Sequence, residues 1–204
     1  MKVVVFGATA NTGLQLLEQG LAAGLEMTAF VRSAAKLGSL ADRVRVITGD
    51  VLDEAQVSEA IRGHDVVLSC LGTRPWKHFD ICTHATRVIS KAMAAAGVKR
   101  LIVLSTQGIG DSTLGPLAKV GAAIVLRRAF ADKLVMEGEL ESGALDWIAV
   151  RPGLLTNGKP RGAWRTCIDN SIHGGKIARS DVAAFVLQQL ASDEWLRKHP
   201  VIVY

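Results

Sequence analysis

The sequence predicts a doubly wound α/β fold, in which helices cover both faces of a mostly parallel sheet. Short runs of consecutive apolar residues alternate with longer segments of helical periodicity along the 204 residues. Runs that are apolar throughout are typical of strands buried on both faces, and their alternation with helices is typical of parallel sheets. Hydrophobic residues make up 49% of the chain, enough for a large core. The length predicts one domain over residues 1–204.

The predicted elements follow one another in regular order. The strands are the apolar runs at 3–6, 27–31, 44–47, 66–70, 101–104, 147–150 and 201–203. Helical periodicity covers 12–23, 54–61 and 81–96, a later helix should end near residue 142, and a last one begins at Ser180 and Asp181.

One segment, residues 153–178, has no clear periodicity and is rich in glycine. A loop of this length within a compact domain is more often functional than incidental. We therefore expect it to form a lid on the substrate side of the protein.

Composition excludes several classes of function. Lys and Arg number 24 and Asp and Glu 19, a net charge of +5, but there is no basic tract and only 5% of residues are aromatic. This pattern favours a small anionic ligand over nucleic acid. Three cysteines without a C-x-x-C pair and histidines without metal-site spacing predict neither a disulfide framework nor a metal site. Because no apolar run approaches ~20 residues, we expect a cytoplasmic protein with no membrane contact.

The first strand leads through Gly7-Ala8-Thr9-Ala10-Asn11-Thr12-Gly13 into a helix. Backbone N–H groups and the positive end of the helix dipole converge at such a turn, where a pyrophosphate fits. Gly7 permits the tight turn, and Gly13 lets the helix pack closely. In the order strand, turn, helix, the pattern predicts a dinucleotide site; the alternative is an ordinary βα turn.

The end of the second strand indicates which dinucleotide is bound. A carboxylate that binds ribose hydroxyls is typical of NAD sites, but here the strand ends in Arg32 and Ser33, with Lys36 following. Arg32 can pair with a 2′-phosphate, helped by the other two residues, so we predict NADP(H) in preference to NAD(H). The alternative is a surface arginine.

Further residues at strand ends should line the same crevice, and Arg151, at the end of the sixth strand, should border the nicotinamide. Asp50 and Val51 follow strand three and suit an adenine contact, although Asp50 is nearly as well explained as a turn or helix cap. Ser105 could hydrogen-bond the nicotinamide carboxamide or a substrate oxygen, or merely cap its strand. The remaining candidate cofactor contacts are Leu71, Gly72, Thr73, Arg74, Pro152 and Leu154.

Taken together, these motifs resemble the atypical short-chain dehydrogenases, most closely the biliverdin-IXβ reductase/flavin reductase proteins and the NmrA-like NAD(P)H-binding proteins. The resemblance spans nearly the whole chain. It implies a single Rossmann domain, NADPH bound across the strand ends and hydride transfer to flavins, bilins or quinone-like acceptors. By matching position it implies cofactor contacts for Gly7, Thr9, Thr12, Gly13, Arg32, Asp50, Val51, Leu71, Gly72, Thr73, Arg74 and Ser105.

The chain departs from this group in its proton donor. The larger family uses a Tyr-x-x-x-Lys pair, but here Ala129 stands in place of the tyrosine, Lys133 is the matching lysine, and Tyr204 is the only tyrosine. Lys133 could touch a ribose, although a solvated lysine is favoured. Gly153 and Leu154 replace a proline and a histidine of biliverdin-IXβ reductases.

A planar conjugated acceptor spreads the negative charge that follows hydride arrival, so it needs little help from an acid. Trp76, Leu154 and Trp164 are the candidate pocket residues. The main alternative is a non-catalytic NADP(H)-sensing protein that keeps the glycine loop. An epimerase is disfavoured by the missing tyrosine and the short chain. We expect a monomer or a weak homodimer.

Overall fold

The computed structural model describes residues 1–72, 80–111 and 127–204. These residues form a large sheet of eight strands, a two-stranded sheet and five α-helices. The predicted doubly wound α/β fold is confirmed. The predicted residues Thr73, Arg74 and Trp76 lie outside the described ranges.

The strands of the large sheet are β1 Lys2–Phe6, β2 Glu26–Val31, β3 Arg45–Thr48, β4 Val66–Ser69, β5 Arg100–Leu104, β6 Asp146–Pro152, β8 Arg165–Cys167 and β10 Val201–Val203. Their order in the sheet is β3-β2-β1-β4-β5-β6-β10-β8. All neighbouring strands are parallel except β10 and β8, which are antiparallel.

The helices cover both faces of this sheet. Two clusters of buried apolar side chains, one on each face, show that residues alternate between the two helical layers along each strand. Two short 3₁₀ helices, Ala34–Lys36 and Gly38–Asp42, follow β2. The α-helices are α1 Asn11–Ala22, α2 Glu54–Ile61, α3 Ile81–Ala96, α4 Arg127–Ser142 and α5 Arg179–Gln188.

Strand order reverses beside β1, which pairs with β2 on one side and β4 on the other. Phe6, the last residue of β1, lies opposite Phe30 in β2 and Ser69 in β4, so the carboxyl ends of the three strands are level. In open α/β sheets, ligands bind outside the carboxyl ends at such a reversal. The fold therefore places the predicted phosphate loop at the position where a cofactor crevice belongs.

The segment 153–178 contains three short strands that the sequence does not predict. β7 Leu154–Thr156 pairs in parallel with β9 Lys176–Ala178, and β8 extends the edge of the large sheet. The buried Gln107 fixes this segment to the end of β5, because its amide Nε2 donates to the carbonyl of Ile172 at 2.8 Å. Runs of three residues, two of them with charged members, are too short and too polar for periodicity to detect.

Candidate functional site

The turn between β1 and α1 requires glycine at both of its ends. Gly7 has a φ of +71°, and a Cβ added there would lie 2.7 Å from the carbonyl carbon of Cys70 at the end of β4. A Cβ at Gly13 would lie 2.5 Å from the carbonyl oxygen of Gly7. The first glycine supplies a left-handed conformation, and the second lets α1 pack directly on the turn. Both roles match those predicted from the sequence.

The amino end of α1 is open to an anion. Its N-cap residue, Ala10, offers no side-chain hydrogen bond, and no acidic residue lies in the first turn. The first N–H groups of a helix have no partner within the helix, and the positive end of its dipole lies there. Asn11, Thr12 and Gly13 form this first turn. The donor set therefore fits a pyrophosphate.

A cleft of about 320 Å³ opens along the carboxyl ends of β1 to β4. It gathers eight of the predicted cofactor residues: Gly7, Thr9, Ala10, Arg32, Asp50, Val51, Leu71 and Gly72. The sequence analysis did not select the other lining residues, which are mostly apolar or small: Phe30, Val31, Gly49, Leu52, Cys70 and Ile81. Phe30 and Val31 could have been selected from the sequence, because they end a predicted strand next to Arg32.

Arg32 and Asp50 bring opposite charges to the rim of this cleft, and both are exposed. One carboxylate oxygen of Asp50 accepts from the backbone N–H of Leu52 at 3.0 Å, so the residue stabilises its turn as well as facing the cleft. The cap of α2 is instead Asp53. Ser33 caps a 3₁₀ turn, accepting from Ala35 at 3.4 Å, and neither Ser33 nor Lys36 is among the described lining residues.

The expectation that Arg151 borders the nicotinamide is wrong. Its guanidinium is buried and donates to the carboxylate of Glu137 through Nη2 at 2.7 Å and through Nε at 3.2 Å. Asp111 is a second carboxylate partner of this guanidinium. Arg151 therefore joins β6 to α4 and the loop after β5, and it is not a ligand at the strand end.

Ser105 lies beside this ion pair. Its hydroxyl is buried and makes no hydrogen bond of good geometry among the described residues. Burial alone would raise the pKa of Glu137, but His199, Arg151 and the Ser105 hydroxyl together hold that pKa below its usual range. Because the Ser105 hydroxyl lies beside the buried carboxylate of Glu137, the structure favours a capping role at the end of β5 over contact with the nicotinamide or a substrate.

Lys133 is half-buried, and the expectation of a solvated lysine is wrong. Its Nζ donates to the carbonyl oxygen of Leu104 at 2.5 Å, at the carboxyl end of β5. Burial raises the pKa of the Cys70 thiol to about 12. The positive charge of Lys133 acts on the same thiol in the opposite direction and lowers its pKa. α4 thus brings a positive charge to the ends of β4 and β5, while Cys70 remains a neutral thiol.

Three predicted residues at or beyond the end of β6 lie apart from the cleft lining. Pro152 is buried as the last residue of β6, and Leu154 begins β7 with 72% of its surface exposed. Trp164 packs edge-on against Phe185 of α5, with ring centroids 6.0 Å apart. The structure therefore does not bring Trp164 to the cleft, because the apolar face of α5 covers its ring.

The described residues contain no group of three or more His, Cys, Asp or Glu side chains that could hold a metal ion. Within the same ranges, no helix is both long enough and apolar enough to cross a membrane.

The sheet, the glycine turn and the cleft define a dinucleotide-binding α/β protein. The sequence profile of the NAD(P)H-binding family matches residues 7–193. The chain belongs to this family, and the resemblance to atypical short-chain dehydrogenases is supported.

Several particular proteins are similar to this chain. The structure of ChuY, an anaerobilin reductase from Escherichia coli O157:H7, is 27% identical, covers 100% of this chain and 97% of that one, and has a TM-score of 0.85. A short-chain dehydrogenase/reductase from Veillonella parvula, solved in complex with NADP, has a TM-score of 0.84 at 16% identity, with 100% and 94% covered. An uncharacterized chloroplastic protein of Arabidopsis thaliana is 27% identical over 95% of this chain and 73% of its own length.

Proposed function

We propose that this protein is an NADPH-dependent reductase that delivers hydride to a planar conjugated acceptor of the flavin, bilin or quinone type. The observation that carries the proposal is the presence, in one cleft, of Arg32 and of the glycine turn that leads into α1, through Gly7, Thr9 and Ala10. When bound, NADPH supplies a hydride and leaves as NADP⁺, and the reduced acceptor takes one proton from water.

The residues of the chain have separable roles in holding the cofactor. The N–H groups of the first turn of α1 bind the pyrophosphate, and Arg32 binds the 2′-phosphate. Asp50 accepts from the adenine amino group with the oxygen not held by Leu52. Gly72 carries no side chain, and a Cβ there would meet nothing within 4 Å, so the cofactor can pass close to the backbone.

The acceptor class is supported by the position of Tyr204, the only tyrosine of the chain. The phenol of Tyr204 is bound to Asp181, at the carboxyl-terminal side of the fold, and it is not among the residues that line the cleft. An acceptor that delocalises charge does not require a positioned acid. The likeness to a bilin reductase at 27% identity supports the same class.

The direct test is NADPH oxidation under anaerobic conditions with FMN, biliverdin and menadione as three separate acceptors. We expect saturable oxidation with at least one of them and a large loss of activity with NADPH in the Arg32→Asp variant. NADPH binding without oxidation by any of the three would contradict the proposal and point to an NADP(H)-sensing protein.

A further inference from the structure

The positive charge of the chain is concentrated in one segment. Residues 153–179 contain a single acidic residue, Asp169, and therefore hold nearly all of the net charge of +5. The five cations of the segment are Lys159, Arg161, Arg165, Lys176 and Arg179.

None of these cations pairs with an aspartate or a glutamate; Arg165 donates instead to the backbone oxygen of Tyr204 at 2.8 Å, and Arg179 donates to the side-chain oxygen of Asn157 at 2.7 Å. Within residues 1–72, 80–111 and 127–204, no Asp or Glu carboxylate lies at ion-pair distance from any of the five. By contrast, Arg62, Arg87 and Lys91 on other surfaces are each paired with a glutamate. Unpaired like charges close together repel one another, and an anionic ligand would relieve that repulsion.

The nearby carboxylate of Asp181 forms no ion pair with them. It is buried, and its oxygens accept hydrogen bonds from the phenol of Tyr204 and from the backbone N–H groups of Arg161 and Gly162. The Asp181 carboxylate thus fixes the backbone that carries Arg161, while the guanidinium itself stays exposed.

Three of the cations line one cavity of about 440 Å³, which we call the basic cavity. No acidic residue is among its described lining residues, which are Thr156, Gly158, Lys159, Pro160, Arg161, Lys176 and Tyr204. The guanidinium of Arg161 lies 4.1 Å from the centre of the Tyr204 ring, and this stacking orients it. A stacked guanidinium keeps its N–H groups free for a carboxylate or a phosphate.

The basic cavity borders the cofactor side of the fold. A second cavity shares Thr156, Gly158 and Pro160 with it and extends to Asn11, the first residue of α1. Arg179 also lines this second cavity, as does Ser180, whose buried hydroxyl has no hydrogen-bond partner among the described residues. Polar donors therefore continue from the phosphate-binding turn to the basic cavity.

We propose that the basic cavity binds a carboxylate or phosphate group carried by the acceptor, an inference that rests on the proposed reductase function. The conjugated part of the acceptor would receive hydride, and its anionic side chain would pair with Lys159, Arg161 and Lys176. The acceptor is then an acidic conjugated molecule, such as a tetrapyrrole with carboxylate side chains or a flavin nucleotide, and not a neutral quinone.

Binding measurements on matched acceptors test this without requiring turnover. Dissociation constants in the presence of NADP⁺ are compared for biliverdin and its dimethyl ester, and for FMN and riboflavin. We expect the charged member of at least one pair to bind about tenfold more tightly, since two or three exposed ion pairs contribute about that much. The pair that shows the difference distinguishes a carboxylate from a phosphate. Equal affinities within both pairs, or no binding of either charged acceptor, would overturn the proposal.

Variants test whether the basic cavity is responsible for the tighter binding of the charged acceptor. The double variant Lys159→Gln/Lys176→Gln removes two cations that make no hydrogen bond within the described residues. It should weaken binding of the charged acceptor about tenfold and leave the neutral one unchanged. The control Lys2→Gln/Lys99→Gln makes the same charge change at the amino ends of β1 and β5.

An equal loss of affinity in the test and control variants would show that binding depends only on the net charge of the protein. That result would overturn the proposal that the basic cavity is the binding site. The proposed reductase function is tested separately, because an absence of NADPH oxidation would contradict it and would not bear on the basic cavity. Tight binding of a charged acceptor without oxidation would contradict the reductase and still support the basic cavity.

Discussion

The phenol of Tyr204 donates a hydrogen bond of 2.5 Å to the buried carboxylate of Asp181. The same phenol oxygen accepts from the backbone N–H of Ala178 at 3.1 Å. One side chain thus links β10 to the beginning of α5. The only tyrosine of the chain therefore stabilises the segment after β6, a role that excludes it from the cleft described above.

Replacing Tyr204 with phenylalanine should change stability more than chemistry. The variant leaves Asp181 and the N–H of Ala178 each short of one hydrogen bond. We expect the free energy of unfolding to fall by about 2 kcal/mol, equivalent to about 4–8 °C in Tm. The turnover number with the best acceptor should stay within about twofold of wild type, because no proton comes from this phenol. A hundredfold loss of turnover at unchanged Tm would identify Tyr204 as an acid.

Arg32 should determine the preference for NADPH. In Arg32→Asp, a carboxylate replaces the only predicted 2′-phosphate partner that lines the cleft, so the Kd for NADPH should rise about 10- to 100-fold. The Kd for NADH should change little, since NADH has no 2′-phosphate. Both constants can be measured by quenching of protein fluorescence, with Arg43→Asp as an exposed control. Equal changes for the two cofactors would contradict the assignment.

The sequence predicted the sheet well because each strand of its centre is a continuous apolar run. It predicted the phosphate turn because glycine is required there twice, at Gly7 for its φ and at Gly13 for close packing. Both signals are local. They lie within one element or one turn, where composition and spacing are sufficient.

The failures involve contacts between distant elements. Arg151 follows an apolar run and so suggested a ligand at the strand end, but its partner Glu137 lies on the predicted amphipathic helix α4, whose periodicity does not show that this carboxylate is buried. Trp164 suggested a pocket wall because its segment lacked periodicity, yet Phe185 covers its ring. Burial of a charged or aromatic residue depends on the tertiary partner, and periodicity does not identify that partner.

Two helical glycines provide a matched test of the phosphate turn. In Gly13→Ala the new Cβ would lie within 2.8 Å of the carbonyl oxygens of Gly7 and Ala8, so α1 must move away from the turn. We expect a loss of about 1–3 kcal/mol in the free energy of unfolding, with a clear rise in the Kd for NADPH. Gly138→Ala, on α4, meets nothing within 4 Å and should gain about 0.5–1 kcal/mol. Urea unfolding and NADPH titration measure both; unchanged cofactor binding in Gly13→Ala would contradict the close-packing role.

The ion pair between Glu137 and Arg151 should make stability depend on pH in the acid range. The pKa of Glu137 lies below its ordinary value of 4.5, because the hydrogen-bonded Arg151 and the neighbouring His199 and Ser105 side chains together outweigh the effect of burial. A carboxyl whose pKa is lowered by folding stabilises the protein above its unfolded pKa. That contribution is lost as pH falls through the lower, folded value.

We therefore expect Glu137→Gln to lower the free energy of unfolding by about 3 kcal/mol at neutral pH, since it leaves Arg151 with a weaker partner in the interior. Below pH 4.5 the difference between wild type and variant should shrink, because Glu137 becomes protonated in the unfolded and then in the folded wild type. Urea unfolding of both proteins across this range measures the difference, with Glu18→Gln on the exposed face of α1 as the control. A difference that stays constant with pH would show that Glu137 is not ionised in the folded protein.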